Sequence, residues 1–180
     1  MQLEQTQKTL EKFRDYVIQQ SRSNLTRQNK NVTKRLYSDL KGEVNVYKNS
    51  FQLSFDLGKY GEFQDKGVKG KFRSSKAPNS PFRFGTGTGE KGGLRKGILE
   101  WVKAKGIQFR QKDGKGTKGQ FMSYKETAFL ITRSVYQTGI RPSLFFTKPF
   151  EAGYKKYIDQ ELIETFALDV ENLMRTTLKD

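Results

Sequence analysis

Sixty consecutive residues, Lys59 to Lys118, carry sixteen basic side chains against five acidic ones and lose apolar periodicity over most of their length. A segment so rich in Lys, Gly, Ser and Pro contributes little to a periodic core. The core must therefore come from the sequence on either side. The segment also holds +11 of the chain's formal net charge of +15, a field that attracts polyanions or acidic protein surfaces.

The flanks read clearly. Residues 3 to 29 place Leu3, Leu10, Phe13, Val17 and Leu25 at helical spacing among Gln, Lys, Glu and Arg, which predicts a long polar helix with a narrow apolar stripe. From Lys41 the period becomes two. Val44 and Val46, a turn at Lys48-Asn49-Ser50, then Phe51, Leu53, Phe55 and Leu57 predict a β-hairpin with one buried face. Within the basic segment a helix is expected from Leu94 to Lys105, with Ile98, Trp101 and Val102 on one face and Gly106 as a left-handed cap. Ser123 and Glu126 form an S-x-x-E capping box, opening a helix that carries Phe129, Leu130, Val135 and Tyr136 to Gly139. Pro149 suits the first turn of a short helix ending near Lys156. Asp159 is then expected to cap a last helix with Leu162, Ile163, Phe166, Val170, Leu173 and Met174 inside. The expected class is α+β: one domain over residues 1–180, with 66–93 and 111–121 as extended basic loops.

Composition removes several chemistries. With no cysteine and no histidine, thiolate catalysis, Cys/His metal clusters and the commonest general base are excluded. Gly87 to Gly92 spells G-x-G-x-x-G, yet Ser80-Pro81-Phe82-Arg83-Phe84-Gly85-Thr86 in front of it is too short and too broken to be a buried parallel strand. A P-loop fails because Lys91 is followed by Gly92 where a Ser or Thr must reach the metal. Glu62, Asp65 and Glu100 stand beside lysines, but in no paired-carboxylate spacing that points to a hard cation. The expectation is no enzyme, no cofactor and no metal. No run of about 18 apolar residues suggests a membrane span, and the N-terminal stretch lacks a signal-peptide core, so the expected setting is a cytoplasm.

Two further segments resemble a known family. Tyr60 to Gly70, "YGEFQDKGVKG", is similar to the tyrosine, aromatic and glycine motif that follows the hairpin in the neck or tail-completion proteins of tailed bacteriophages. Arg141 to Lys156, "RPSLFFTKPFEAGYKK", resembles that family's second mark, a proline and phenylalanine entering a C-terminal helix. The order of elements along nearly the whole chain fits as well. The resemblance implies a non-enzymatic virion protein, assembled in the host bacterial cytoplasm as a ring of six or twelve copies between portal-side and tail-side rings, around a channel for genomic DNA. Tyr60, Gly61, Phe63, Gly67, Pro149 and Phe150 would be its structural motif residues. Tyr60 and Phe63 are expected to end the second strand and pack inward, while Gly61 and Gly67 turn the chain.

In such a ring the basic loops are expected to be arms ordered by their neighbours. The contact residues would be Lys66, Lys69, Lys71, Arg73, Lys76, Arg83, Lys91, Arg95, Lys96, Lys112, Lys115 and Lys118. Their charge would be offset by DNA, or by acidic surface such as Glu161, Glu164, Asp169 and Glu171 of a neighbour. The alternative is a non-specific nucleic-acid-binding protein, with Phe72, Phe82, Phe84, Phe109 and Phe121 interleaved among the cations to stack bases.

Overall fold

The computed structural model describes residues 3–30, 34–48, 50–86, 93–112 and 118–177. In chain order the elements are α1 (Glu4–Arg27), α2 (Arg35–Asp39), β1 (Lys41–Val46), β2 (Phe51–Asp56), α3 (Gly58–Lys66), β3 (Val68–Lys69), α4 (Gly93–Lys105), α5 (Tyr124–Thr138), β4 (Gly139–Ile140), α6 (Thr147–Gly153), a π-helical stretch (Tyr154–Leu162) and α7 (Ile163–Thr177). The class is α+β. The chain divides into two compact units: residues 1–61 with 144–180, and residues 62–143.

The first unit is organised by α1, against which β1, α6, the π-helical stretch and α7 all pack. Leu10, Phe13, Val17 and Leu25 are buried along it as the helical period predicts, with Thr6, Thr9 and Ser21 completing the face. The hairpin pairs β1 with β2 in the register Gly42↔Phe55, Val44↔Leu53 and Val46↔Phe51. Its inner face is half-buried, and Val46 at the turn end is exposed. Phe55 stands edge-on to Phe13, Phe146 and Phe150, with ring centroids 6.1, 5.4 and 6.0 Å away. Such pairs add roughly 0.5–1.5 kcal/mol beyond the area they bury. Gly153 lets α6 approach this cluster, since a Cβ there would lie 2.8 Å from the Phe13 ring and 2.9 Å from Tyr16.

At its N-terminus α1 has no side-chain cap of its own. Asp169, from α7, supplies one: its carboxylate accepts from the Thr6 N–H at 2.8 Å, the Thr6 hydroxyl at 2.9 Å and the Gln5 N–H at 3.3 Å. A negative charge here also meets the positive end of the helix dipole.

The C-terminal part differs from expectation. Helix runs unbroken from Thr147 to Thr177, and Asp159 lies inside its π-helical stretch instead of capping a new helix. Wider i→i+5 turns shift the angular phase of everything downstream. The face turned inward is therefore the one bearing Thr165 and Asp169, while Ile163, Phe166 and Met174 are exposed. Pro149 does lie in the first turn of α6, as expected, and is buried, and Phe150 joins the aromatic cluster.

In the second unit α4 and α5 pack on each other. The capping box is present: the Ser123 hydroxyl accepts from the Glu126 N–H, and the Glu126 carboxylate accepts from the Ser123 N–H at 2.8 Å. Helix α4 ends in a Schellman turn, with Gly106 at φ +64°, its N–H donating to Lys103 O and the Ile107 N–H to Val102 O. Val102 is fully buried as expected, but Trp101, Phe129 and Leu130 are exposed, and the buried residues of α5 are Thr127 and Ala128.

Candidate functional site

The two units divide the charge unequally. Residues 62–143 hold eighteen basic and six acidic side chains, +12 of the total +15. Lys12–Glu161, Arg14–Asp15 and Arg175–Glu171 form ion pairs, all three in the first unit. Even with all six of its acids paired, twelve cations of the second unit would have no counter-charge within it.

Over residues 66–86, where a free loop was expected, the described backbone is hydrogen-bonded. Val68 and Lys69 pair antiparallel with Ile140 and Gly139, and Lys69 bridges Arg83 in parallel. The Lys71 N–H donates to Tyr136 O, and those of Phe72 and Arg73 to Gln137 O. Ser80 is buried and its hydroxyl donates to Gly67 O at 2.7 Å. Gly67 makes the turn expected of it: φ is +72°, and a Cβ would stand 2.6 Å from Ile140 O. Satisfied backbone polar groups order this stretch although it buries few large side chains.

Lys66 closes α3, and Lys69 is half-buried in β3. The Lys76 ammonium donates to the Thr138 hydroxyl at 2.8 Å. Lys71 lies over Phe72 and Tyr136, with 5.4 and 6.0 Å from its ammonium to the ring centroids. Arg73, Arg83 and Lys96 are exposed, and Arg95 lies over Phe129. Arg110, outside the expected contact set, covers Phe121 at 4.4 Å, bridges it antiparallel and donates to Gly119 O, and Lys112 and Lys118 near this bridge are exposed. Lys91, Lys115 and most of Gly87 to Gly93 lie outside the described residues. Of the five interleaved aromatics, Phe72, Phe109 and Phe121 are exposed, while Phe82 packs on Phe63 and Phe84 on Tyr136.

Two other expectations change. Tyr60 and Phe63 sit in α3, not at a strand end, and both are exposed. Gly61 is helical rather than a turn, buried where a Cβ would meet Leu57 and Leu36. The acidic set is also partly spent inside the chain: Asp169 caps α1, Glu161 pairs with Lys12 and Glu171 with Arg175. Asp65 is buried, Glu62 and Glu100 are exposed, and among the described residues no group of three such side chains could hold a metal ion. Among the described residues no helix is long and apolar enough to cross a membrane.

Two surfaces had not been singled out in the sequence. An open groove of about 400 Å³ between α4 and α5 has Arg95, Lys96 and Lys125 around a floor of Leu99 and Ala128. The outward face of α7 is the other. Lys125 and Ala128, one turn apart on α5, were a legible signal once α4 was known to lie against them.

No protein-family model matches the chain, and no curated protein or solved structure is detectably similar to it.

Proposed function

We propose that the chain is a non-enzymatic structural protein of a tailed-bacteriophage virion, built into the neck as a ring of six or twelve copies between portal-side and tail-side rings, around the DNA channel. The observation that carries this reading is a folded unit in which eighteen basic side chains stand against six acidic ones, leaving a net charge of +12 that the unit cannot neutralise from within. A preordered cationic surface of this size is offset by something outside the chain, either acidic faces of adjoining subunits or the phosphates of the genome. The segment resemblances at Tyr60–Gly70 and Arg141–Lys156 supply the virion setting.

The test is charge reversal, not excision, because Val68, Ala77 and Ser80 are buried and removing their segment would unfold the unit. Phage carrying Arg73→Glu, Lys112→Glu and Lys118→Glu, all exposed positions, should yield folded protein, DNA-filled heads and separate tails by electron microscopy. Infectious particles at the normal titre would overturn the joining role.

A second reading, non-specific nucleic-acid binding, is favoured by Arg110 over Phe121 and by the exposure of Phe72 and Phe109, a pairing of cations and ring faces that suits stacked bases. For that function the same reversals abolish salt-dependent DNA binding and leave no joining defect.

A further inference from the structure

We infer that copies of this chain associate head to tail, the outward face of α7 in one copy lying in the groove between α4 and α5 of the next. This pairing rests on the ring reading and specifies which surfaces would build it.

The α7 side of the pair is an apolar stripe. Ile163, Phe166, Val170 and Met174 follow the i, i+3, i+7, i+11 spacing of a single helix face. Ile163 is 66% exposed, Phe166 49% and Met174 61%, with Val170 half-buried between them on the side toward Asp169, which is committed to α1. Glu164 and Glu171 border the stripe on the edge away from α1. Among the described residues Glu171 is held only by an exposed i,i+4 pair with Arg175, a weak contact in solvent. A run of exposed apolar side chains edged by charge is the form of a helix that docks in a groove.

The groove side is complementary in both respects. Its floor is apolar, Leu99 and Ala128, and its rim is Arg95, Lys96 and Lys125, with no ion pair to any of the three among the described residues. Phe129, 49% exposed beneath Arg95, extends the apolar area along α5. The open groove along α1 is a weaker candidate. Its Arg22 already lies over Tyr37 and donates to Tyr37 O and Leu40 O, and its Asp15 is paired with Arg14. One chain thus carries both an acid-edged apolar helix and a cation-rimmed apolar groove, and the partner that fits each is a second copy. Because the two surfaces differ, the contact is heterologous and propagates until the rotation closes a ring.

The experiment is sedimentation velocity on the full chain over a range of concentrations, in 50 and 500 mM salt. Wild type should assemble, more weakly at the higher salt. One variant, Glu164→Lys with Glu171→Lys, reverses the helix edge. A second, Lys96→Glu with Lys125→Glu, reverses the groove rim. Each alone should raise the concentration needed for assembly by about tenfold or more, with an unchanged far-ultraviolet circular dichroism spectrum. An equimolar mixture of the two should assemble again, because each variant's α7 then meets a groove of opposite sign. Phe166→Ser should weaken assembly without altering its salt dependence. Wild type that stays monomeric throughout would overturn the pairing. Assembly that is indifferent to both reversals would overturn it while leaving a ring built on other surfaces. If the groove reversal costs DNA binding and not assembly, the groove serves nucleic acid and the pairing is wrong.

Discussion

The two units are held together by different means. In residues 1–61 with 144–180 the buried hydrophobics include Phe13, Phe145, Leu10, Leu25, Leu36 and Leu40. Among the described residues of 62–143 they are Val68, Ala77, Val102 and Ala128, none larger than valine. The second unit instead relies on backbone hydrogen bonds through its turns, from Lys69 to Phe82, Lys71 to Tyr136, Gln111 to Gln120 and Met122 to Phe109. Charge density follows the same division, +3 against +12. The second unit's larger apolar side chains, Phe72, Trp101, Phe109, Phe121 and Phe129 among them, stay exposed, so its order comes more from satisfied peptide groups. It gains a fixed cationic surface and loses the margin that aromatic packing provides.

If that contrast is right, the largest effect of a point change falls in the first unit. Phe13→Ala removes a 2% exposed ring that meets Phe55, Phe150 and Tyr157. It should cost about 4 kcal/mol in urea unfolding, and a loss under about 1 kcal/mol would mean that this cluster is not what holds the unit. Next comes Asp169→Ala, which leaves the first N–H groups of α1 without their acceptor and should cost about 2 kcal/mol. Hydrogen exchange at Gln5 and Thr6 should quicken with it, and unchanged protection there would show that the cap is dispensable.

Smaller effects sharpen the picture of the second unit. Ser123→Ala should cost about 1 kcal/mol, seen as faster exchange at the start of α5. Added salt should slow exchange across residues 62–143 more than in the rest of the chain, because screening relieves repulsion among like charges. Equal responses in both units would break the comparison. The smallest effect is on pH. The Glu126 carboxyl is held below its usual range by the Ser123 hydroxyl, which donates to it, and then by the Ser123 N–H. A lowered folded-state pKa makes this contribution complete above the unfolded value and lost as pH falls through the folded one. In Glu126→Gln, exchange at the start of α5, corrected for intrinsic rates, should lose that acid dependence.

Local rules were enough wherever one stretch of chain decides its own conformation. The spacing from Leu10 to Leu25 determined α1, alternation from Phe51 to Leu57 the hairpin, Ser123 and Glu126 the start of α5, and Gly106 and Gly139 the helix ends. The concentration of cations at the candidate surface was equally readable, since it needs only counting. Which side of an element is covered was not. Residues 66–86 carry no strong period, and they are ordered by Tyr136, Gln137 and Ile140, more than fifty positions away. Asp169 reads as one more acid on a solvated helix until α1 arrives with Thr6, 163 residues earlier in the chain. Ile163, Phe166 and Met174 spell an inward face by α-helical period, yet the π-helical turns before them and the capping of α1 by Asp169 rotate that face outward. Helices, turns and caps answer to neighbours in sequence, through hydrogen bonds and steric limits a few residues long. Burial answers to neighbours in space, and those were supplied only when the chain had folded.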